Sequence, residues 1–104
     1  MNSTGIPTSF QLLGHTITVR VIPKSKWRHG KKAIGIWLPD KLTIHILHDP
    51  IESNLKAVFC HELTHAILDC FNSKLSHDEV FVDNFGSLLA QALVTFSFEK
   101  AAQK

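Results

Sequence analysis

The sequence predicts an α+β domain in which a three-stranded sheet packs against two long helices. Two observations carry that expectation. One β-branched segment of alternating polarity and two short apolar segments lie between residues 16 and 47, and beyond residue 50 apolar residues recur at three- and four-residue spacings instead. A strong helix-start signal, Asp49-Pro50, marks the change of period. A chain of 104 residues, 44% hydrophobic and 19% charged, suits one globular domain. It divides into a flexible N-terminal arm over residues 1–12 and a single domain over residues 13–104.

The arm is assigned because residues 1–9 are polar and carry Gly5 and Pro7. Residues 16–22 (TITVRVI) alternate Ile17 and Val19 with Thr18 and Arg20, the pattern of a half-buried strand. Residues 24–32 hold several basic residues around Trp27 and Gly30 with no period of either kind, and read as a loop. Two apolar segments follow, residues 33–38 and 42–47, joined by Pro39-Asp40-Lys41, a sequence suited to a hairpin turn.

Asp49 can cap the next element, Pro50 suits its first position, and Glu52 can return a capping-box bond. Leu55, Val58, Phe59, Leu63, Ala66, Ile67 and Phe71 then form the stripe of a helix from about residue 50 to 71. Ser76-His77-Asp78-Glu79 is a second capping-box pattern. It opens a helix whose apolar stripe comprises Phe81, Phe85, Leu88, Leu89, Ala92, Leu93 and Phe96.

A formal charge of +2 is too small to make nucleic acid or an anionic membrane the main partner. No apolar run approaches the roughly 18 residues of a membrane span, and residues 1–11 lack the pattern of a signal peptide, so a cytoplasmic location is expected. Cys60 and Cys70 fall ten residues apart on one expected helix, about 15 Å, too far for a disulfide. They are expected to be free thiols, consistent with a reducing compartment.

Chemistry concentrates at His61-Glu62-Leu63-Thr64-His65, an H-E-x-x-H pentad within the first expected helix. Shuffling seven His and four Glu through the chain yields this pentad only about 0.02 times. Residues four apart stand one turn above each other, so His61 and His65 can direct imidazoles at a single Zn²⁺. Glu62 falls beside them, where its carboxylate can take a proton from a zinc-bound water and deliver it to a leaving amine. A third ligand is needed. Glu79, Asp83 and His77 are the candidates: a carboxylate would complete a His₂Glu-type set, and His77 a His₃ set. Asp69 and Asp83 each lie one turn beyond an expected ligand, where either can accept a ligand imidazole's distal N–H; for Asp69 plain solvent exposure is the expected state.

HELTHAIL followed by EVFVDNFGSLL resembles the ImmA/IrrE-type metallopeptidases and the small HExxH proteins of phage genomes, minimal zincins by fold. The resemblance covers roughly residues 34–94. It implies a short sheet before the HExxH helix, a Glu ligand at Glu79, and the family's Asn or Asp at Asp83, followed by Phe85 and Leu88-Leu89. The interval from His65 to Glu79 is short for that family, and no helix-turn-helix accompanies the domain. His77-x-x-x-Phe81 also resembles the third-ligand segment of SprT-like proteases, with Asp78 in place of Gly.

The expected function is therefore a zinc-dependent endopeptidase acting on a protein or peptide. Such a substrate would lie along an exposed sheet edge formed by residues 33–38 or 42–47, with Gly35 allowing close approach. The alternative is a zinc-binding regulatory or interaction module that cleaves nothing. A nucleic-acid role through the basic loop around Trp27 ranks third.

Overall fold

In the computed structural model, which describes residues 5–99, four strands precede two helices. They are β1 (Ser9–Leu12), β2 (His15–Ile22), β3 (Gly35–Leu38), β4 (Thr43–Leu47), α1 (Glu52–Cys70) and α2 (Glu79–Thr95). The α+β class holds, and the sheet has four strands rather than three, in the order β1-β2-β4-β3.

The additional strand comes from the segment expected to be an arm. Leu13 (φ 50°) and Gly14 (φ 80°) turn the chain with two consecutive positive φ values, the geometry that matches the twist of a two-residue hairpin. The turn sets Phe10 opposite Ile17 and Leu12 opposite His15. Phe10 then meets Phe59 edge to face at 5.8 Å, and Ile6 packs against the same core. Residues 5–12 are therefore held by the domain. Residues 1–4 of the expected arm lie outside the described residues.

The sheet is mixed. β4 runs parallel to β2 and antiparallel to β3, with Pro39–Lys41 forming a single 3₁₀ turn between the last two strands. Alternation places Ile17, Val19, Ile44 and Ile46 on the inner face, where they bury against Leu55, Phe59 and Cys60 of α1 and Ala90 of α2. β4 is interior, so of the two segments considered as a substrate edge only β3 is one.

Both helix starts differ in detail from the sequence reading. Asp49 accepts from the Ile51 backbone N–H at 2.8 Å and from the Asn54 amide at 3.1 Å, so it caps a turn just ahead of α1, which begins at Glu52. These bonds hold its carboxyl below the ordinary range. At α2 the cap is Asp78, whose carboxylate accepts from the Phe81 N–H at 3.0 Å. Ser76 belongs instead to the preceding 3₁₀ turn, Lys74–His77, and is buried. Glu79 is thus free of the capping box.

The packing of α2 is the larger departure. Its buried positions are Val82, Gly86 and Ala90, whereas Phe85, Leu88, Leu93 and Phe96 of the expected core stripe are exposed. The reason is close approach. A Cβ built on Gly86 would stand 3.0 Å from the His61 Cα and 3.2 Å from the His61 backbone N, so α2 lies almost in contact with the α1 backbone along its small-residue side. Phe71, placed on the α1 stripe, is also exposed because α1 ends at Cys70. Cys60 and Cys70 are free. Among the described residues no helix is long and apolar enough to cross a membrane.

Candidate metal centre

The pentad occupies the middle of α1, and its two histidines project from successive turns with ring centroids 5.1 Å apart. The close approach of α2 at Gly86 brings the first turn of that helix over them. Glu79 Oε1 lies 3.3 Å from His61 Nε2, and Glu79 Oε2 lies 3.4 Å from His65 Nε2. One donor atom from each of the three residues falls within 4.8 Å of the other two, so this His-His-Glu group can hold a metal ion. His77, the alternative third ligand, is exposed and does not belong to this group.

The Glu79 carboxylate spans the two imidazoles, with one oxygen facing each Nε2. The opposite ring nitrogens are also engaged. His61 Nδ1 lies 3.0 Å from Asp83 Oδ1, and His65 Nδ1 lies 3.4 Å from Ser76 Oγ, whose hydroxyl also donates to the His65 carbonyl oxygen. Partners on both Nδ1 atoms orient the rings and leave each Nε2 directed at Glu79.

Asp83 therefore sits behind a histidine rather than in the donor triangle. Asp69, expected to be solvent-exposed with a histidine contact as the alternative, instead accepts from the Trp37 indole N–H at 2.8 Å and ties β3 to α1. Ser76 was hidden in the sequence because its S-x-x-E spacing to Glu79 imitates a capping box.

Glu62 is buried, 7% exposed, between the two histidines and the edge strand. Burial pushes its carboxyl above the ordinary value, His61 and His65 draw it down, the Glu79 charge raises it, and a backbone N–H donated by Trp37 lowers it. The space for this carboxylate depends on Gly35. A Cβ there would meet Val58 Cγ1 at 2.5 Å and Glu62 Oε2 at 3.1 Å.

β3 supplies the wall of the site. Ile34 turns its carbonyl to Leu47 on β4 at 2.9 Å, so antiparallel alternation directs the peptide groups of Gly35 and Trp37 to the open edge. Two hollows of about 500 Å³ flank the donor group and share Gly35, His61, Glu62 and Glu79. One extends towards Lys32, Ala57 and Ser87, the other towards Pro39, Asp69 and His77. Trp37 carried no motif that could have revealed its part in this wall.

On the opposite face of the sheet, His29 Nε2 lies 2.8 Å from His45 Nδ1, and Trp27 packs edge to face on His29 at 4.8 Å. The basic loop is thereby folded onto the sheet, and the Trp27 indole N–H is used by the Gly30 carbonyl. Burial, together with the nearby charges of His29, Arg20 and Lys41, lowers the pKa of His45. Comparison of the chain with family models, curated proteins and solved structures finds no match, so the functional reading rests on these residues and their geometry.

Proposed function

We propose that the chain is a zinc-dependent endopeptidase of the minimal HExxH type, in which His61, His65 and Glu79 hold the ion and Glu62 is the general base. The observation that supports it best is the convergence of a His-His-Glu donor set with a buried carboxylate at an open sheet edge. Zinc in such a set supplies Lewis acidity, polarising a carbonyl and making water easier to deprotonate.

Glu62, with its proton affinity raised by burial, takes the proton of the attacking water and passes it to the departing amine nitrogen. The Trp37 N–H fixes the carboxylate for both transfers, and Asp83 and Ser76 hold the ligand imidazoles in register. The substrate lies extended along β3, pairing with the outward peptide groups of Gly35, and the two hollows receive the residues on either side of the scissile bond. This reading places the chain beside the ImmA/IrrE-type and small phage-encoded HExxH peptidases. The free thiols agree with a cytoplasmic site of action.

The exposed apolar side of α2 favours a second reading, a zinc-binding interaction module without peptidase activity. Zinc content and cleavage of a peptide library, measured on wild type and Glu62→Gln, separate the two. One zinc per chain in both proteins, with cleavage by wild type alone, is the expected result. Zinc without cleavage in wild type selects the module. Full cleavage by Glu62→Gln removes the assigned general base.

A further inference from the structure

The formal charge of +2 conceals a separation of charge along the chain. Seven of the eleven Lys and Arg residues lie between Arg20 and Lys41 with Asp40 as the single carboxylate among them, while the other eight Asp and Glu residues all follow His48. All seven cations are exposed. Among the described residues, Lys56 is the one Lys or Arg within ion-pair distance of a carboxylate, so the seven stand unneutralised.

Strand alternation turns this charge onto one surface. Ile17, Val19, Ile44 and Ile46 face the helices, so Thr18, Arg20, Thr43 and His45 face the other way, and the register sets Arg20 beside His45. The contact of His29 Nε2 with His45 Nδ1 at 2.8 Å folds the loop over residues 24–32 onto that outer face. There Lys24, Trp27, Gly30, Lys31 and Leu47 line a hollow of about 470 Å³, within the range of roughly 300–1,000 Å³ for small-ligand sites. His45 registers the crowding of charge: after burial, it is His29, Arg20 and Lys41 that lower its pKa. Lys32 is set apart from this surface, since it lines the metal cleft.

We propose that the outer face of the sheet binds single-stranded nucleic acid, a base entering the hollow beside Trp27 and the adjoining phosphates meeting Lys24, Lys31, Arg20 and Lys41. Two features choose this occupant. Unneutralised cations on the sheet side, with the carboxylates gathered on the helical side, turn a phosphate chain towards the sheet. The hollow then supplies what an acidic peptide would leave unused, because an unpaired base offers a flat ring to Trp27 and Leu47. Duplex DNA keeps its bases stacked inside and presents phosphates alone, so it would meet the cations without filling the hollow. The metal centre is built from α1 and α2 on the inner side of the sheet, and the proposal stands independently of the activity there.

The test is fluorescence anisotropy of a fluorescein-labelled oligothymidylate of about 12 nucleotides titrated with the full chain. Four phosphate contacts on a single strand give a log–log salt slope of about −2.8, so affinity is expected to fall about 50-fold between about 50 and 200 mM NaCl. One contact is worth about eightfold at about 50 mM on the same relation, and Lys24→Glu and Lys31→Glu are each expected to weaken binding by at least that factor. Lys74→Glu makes the same change of net charge at an exposed position in the turn between the helices, and is expected to shift affinity less than about twofold. Trp27→Leu, with a circular dichroism spectrum matching wild type, is expected to lose about five- to a hundredfold. Absence of saturable binding at the lower salt, a flat salt dependence, or equal affinities for Lys31→Glu and Lys74→Glu overturns the proposal. So does tighter binding of a polyglutamate peptide or of a DNA duplex of the same length, which would assign the face to acidic protein or to duplex.

Discussion

Replacing Gly86 with alanine is expected to weaken metal binding by up to about tenfold and to cost the fold at most about 2 kcal/mol. The added Cβ would stand 3.0 Å from the His61 Cα, and ordinary contact begins at 3.4 Å, so the helices must separate by about 0.4 Å. The opposing atoms belong to the α1 backbone and cannot rotate away. α2 has solvent on its far side, so it is the element that moves. Forced overpacking costs typically 1–3 kcal/mol, and alanine returns about 0.8–1 kcal/mol of helix propensity, which leaves a net loss of at most about 2 kcal/mol. The same displacement carries Glu79 and Asp83 away from His61 and His65, whose contacts with them are now 3.0–3.4 Å. A shift of about 0.4 Å uses most of the roughly 0.5 Å within which such a site must be held, and a tenfold loss of affinity corresponds to about 1.4 kcal/mol. Competition with a chromophoric chelator measures the affinity, and thermal unfolding of the metal-free protein measures the stability. Zinc affinity within twofold of wild type, together with a raised melting temperature, would refute the argument that close approach at Gly86 builds the site.

Glu79→Ala is expected to abolish stoichiometric zinc binding and His77→Ala to leave it intact, as read by metal content after gel filtration; the opposite pair of results would move the third ligand to His77. Asp83→Asn keeps the contact with His61 but loses its charge, and is expected to lower zinc affinity by about 10–100-fold, measurable by chelator competition. Chelation of the bound metal is expected to destabilise the wild-type fold by about 4 kcal/mol when free zinc had been 1,000 times its dissociation constant, a shift read by thermal unfolding. The pKa of His45 is lowered on folding, so the unfolded chain binds more protons as the pH falls. The stability contributed by neutral His45 is full above about pH 6.5 and is lost as the pH drops through the folded value. The denaturation midpoint of wild type is therefore expected to fall relative to His45→Gln between pH 7.5 and pH 5, and a difference that is constant with pH would contradict it.

The sequence by itself determined the α+β class, the three strands it named, both helices and the position of the H-E-x-x-H pentad. Each is written locally: alternation for β2, short apolar segments around the turn residues Pro39-Asp40-Lys41 for β3 and β4, and the four-residue step from His61 to His65. Ser9–Leu12 escaped because four residues with a Leu-Gly turn carry too little alternation to distinguish a strand from an arm. The parallel pairing of β4 with β2, and hence the choice of β3 as the edge, joins segments more than twenty residues apart and has no local signature. Residue spacing left Glu79, Asp83 and His77 open and only the family resemblance preferred Glu79, whose grouping with His61 and His65 is a tertiary feature. It depends on Asp78 taking the cap, on Ser76 turning to His65, and on Gly86 letting α2 close on His61. The helical period located one apolar stripe on α2, but it could not say that the core would take the neighbouring side. Backbone contact at Gly86 decided that, by placing Val82, Gly86 and Ala90 inside and leaving Phe85, Leu88, Leu93 and Phe96 exposed.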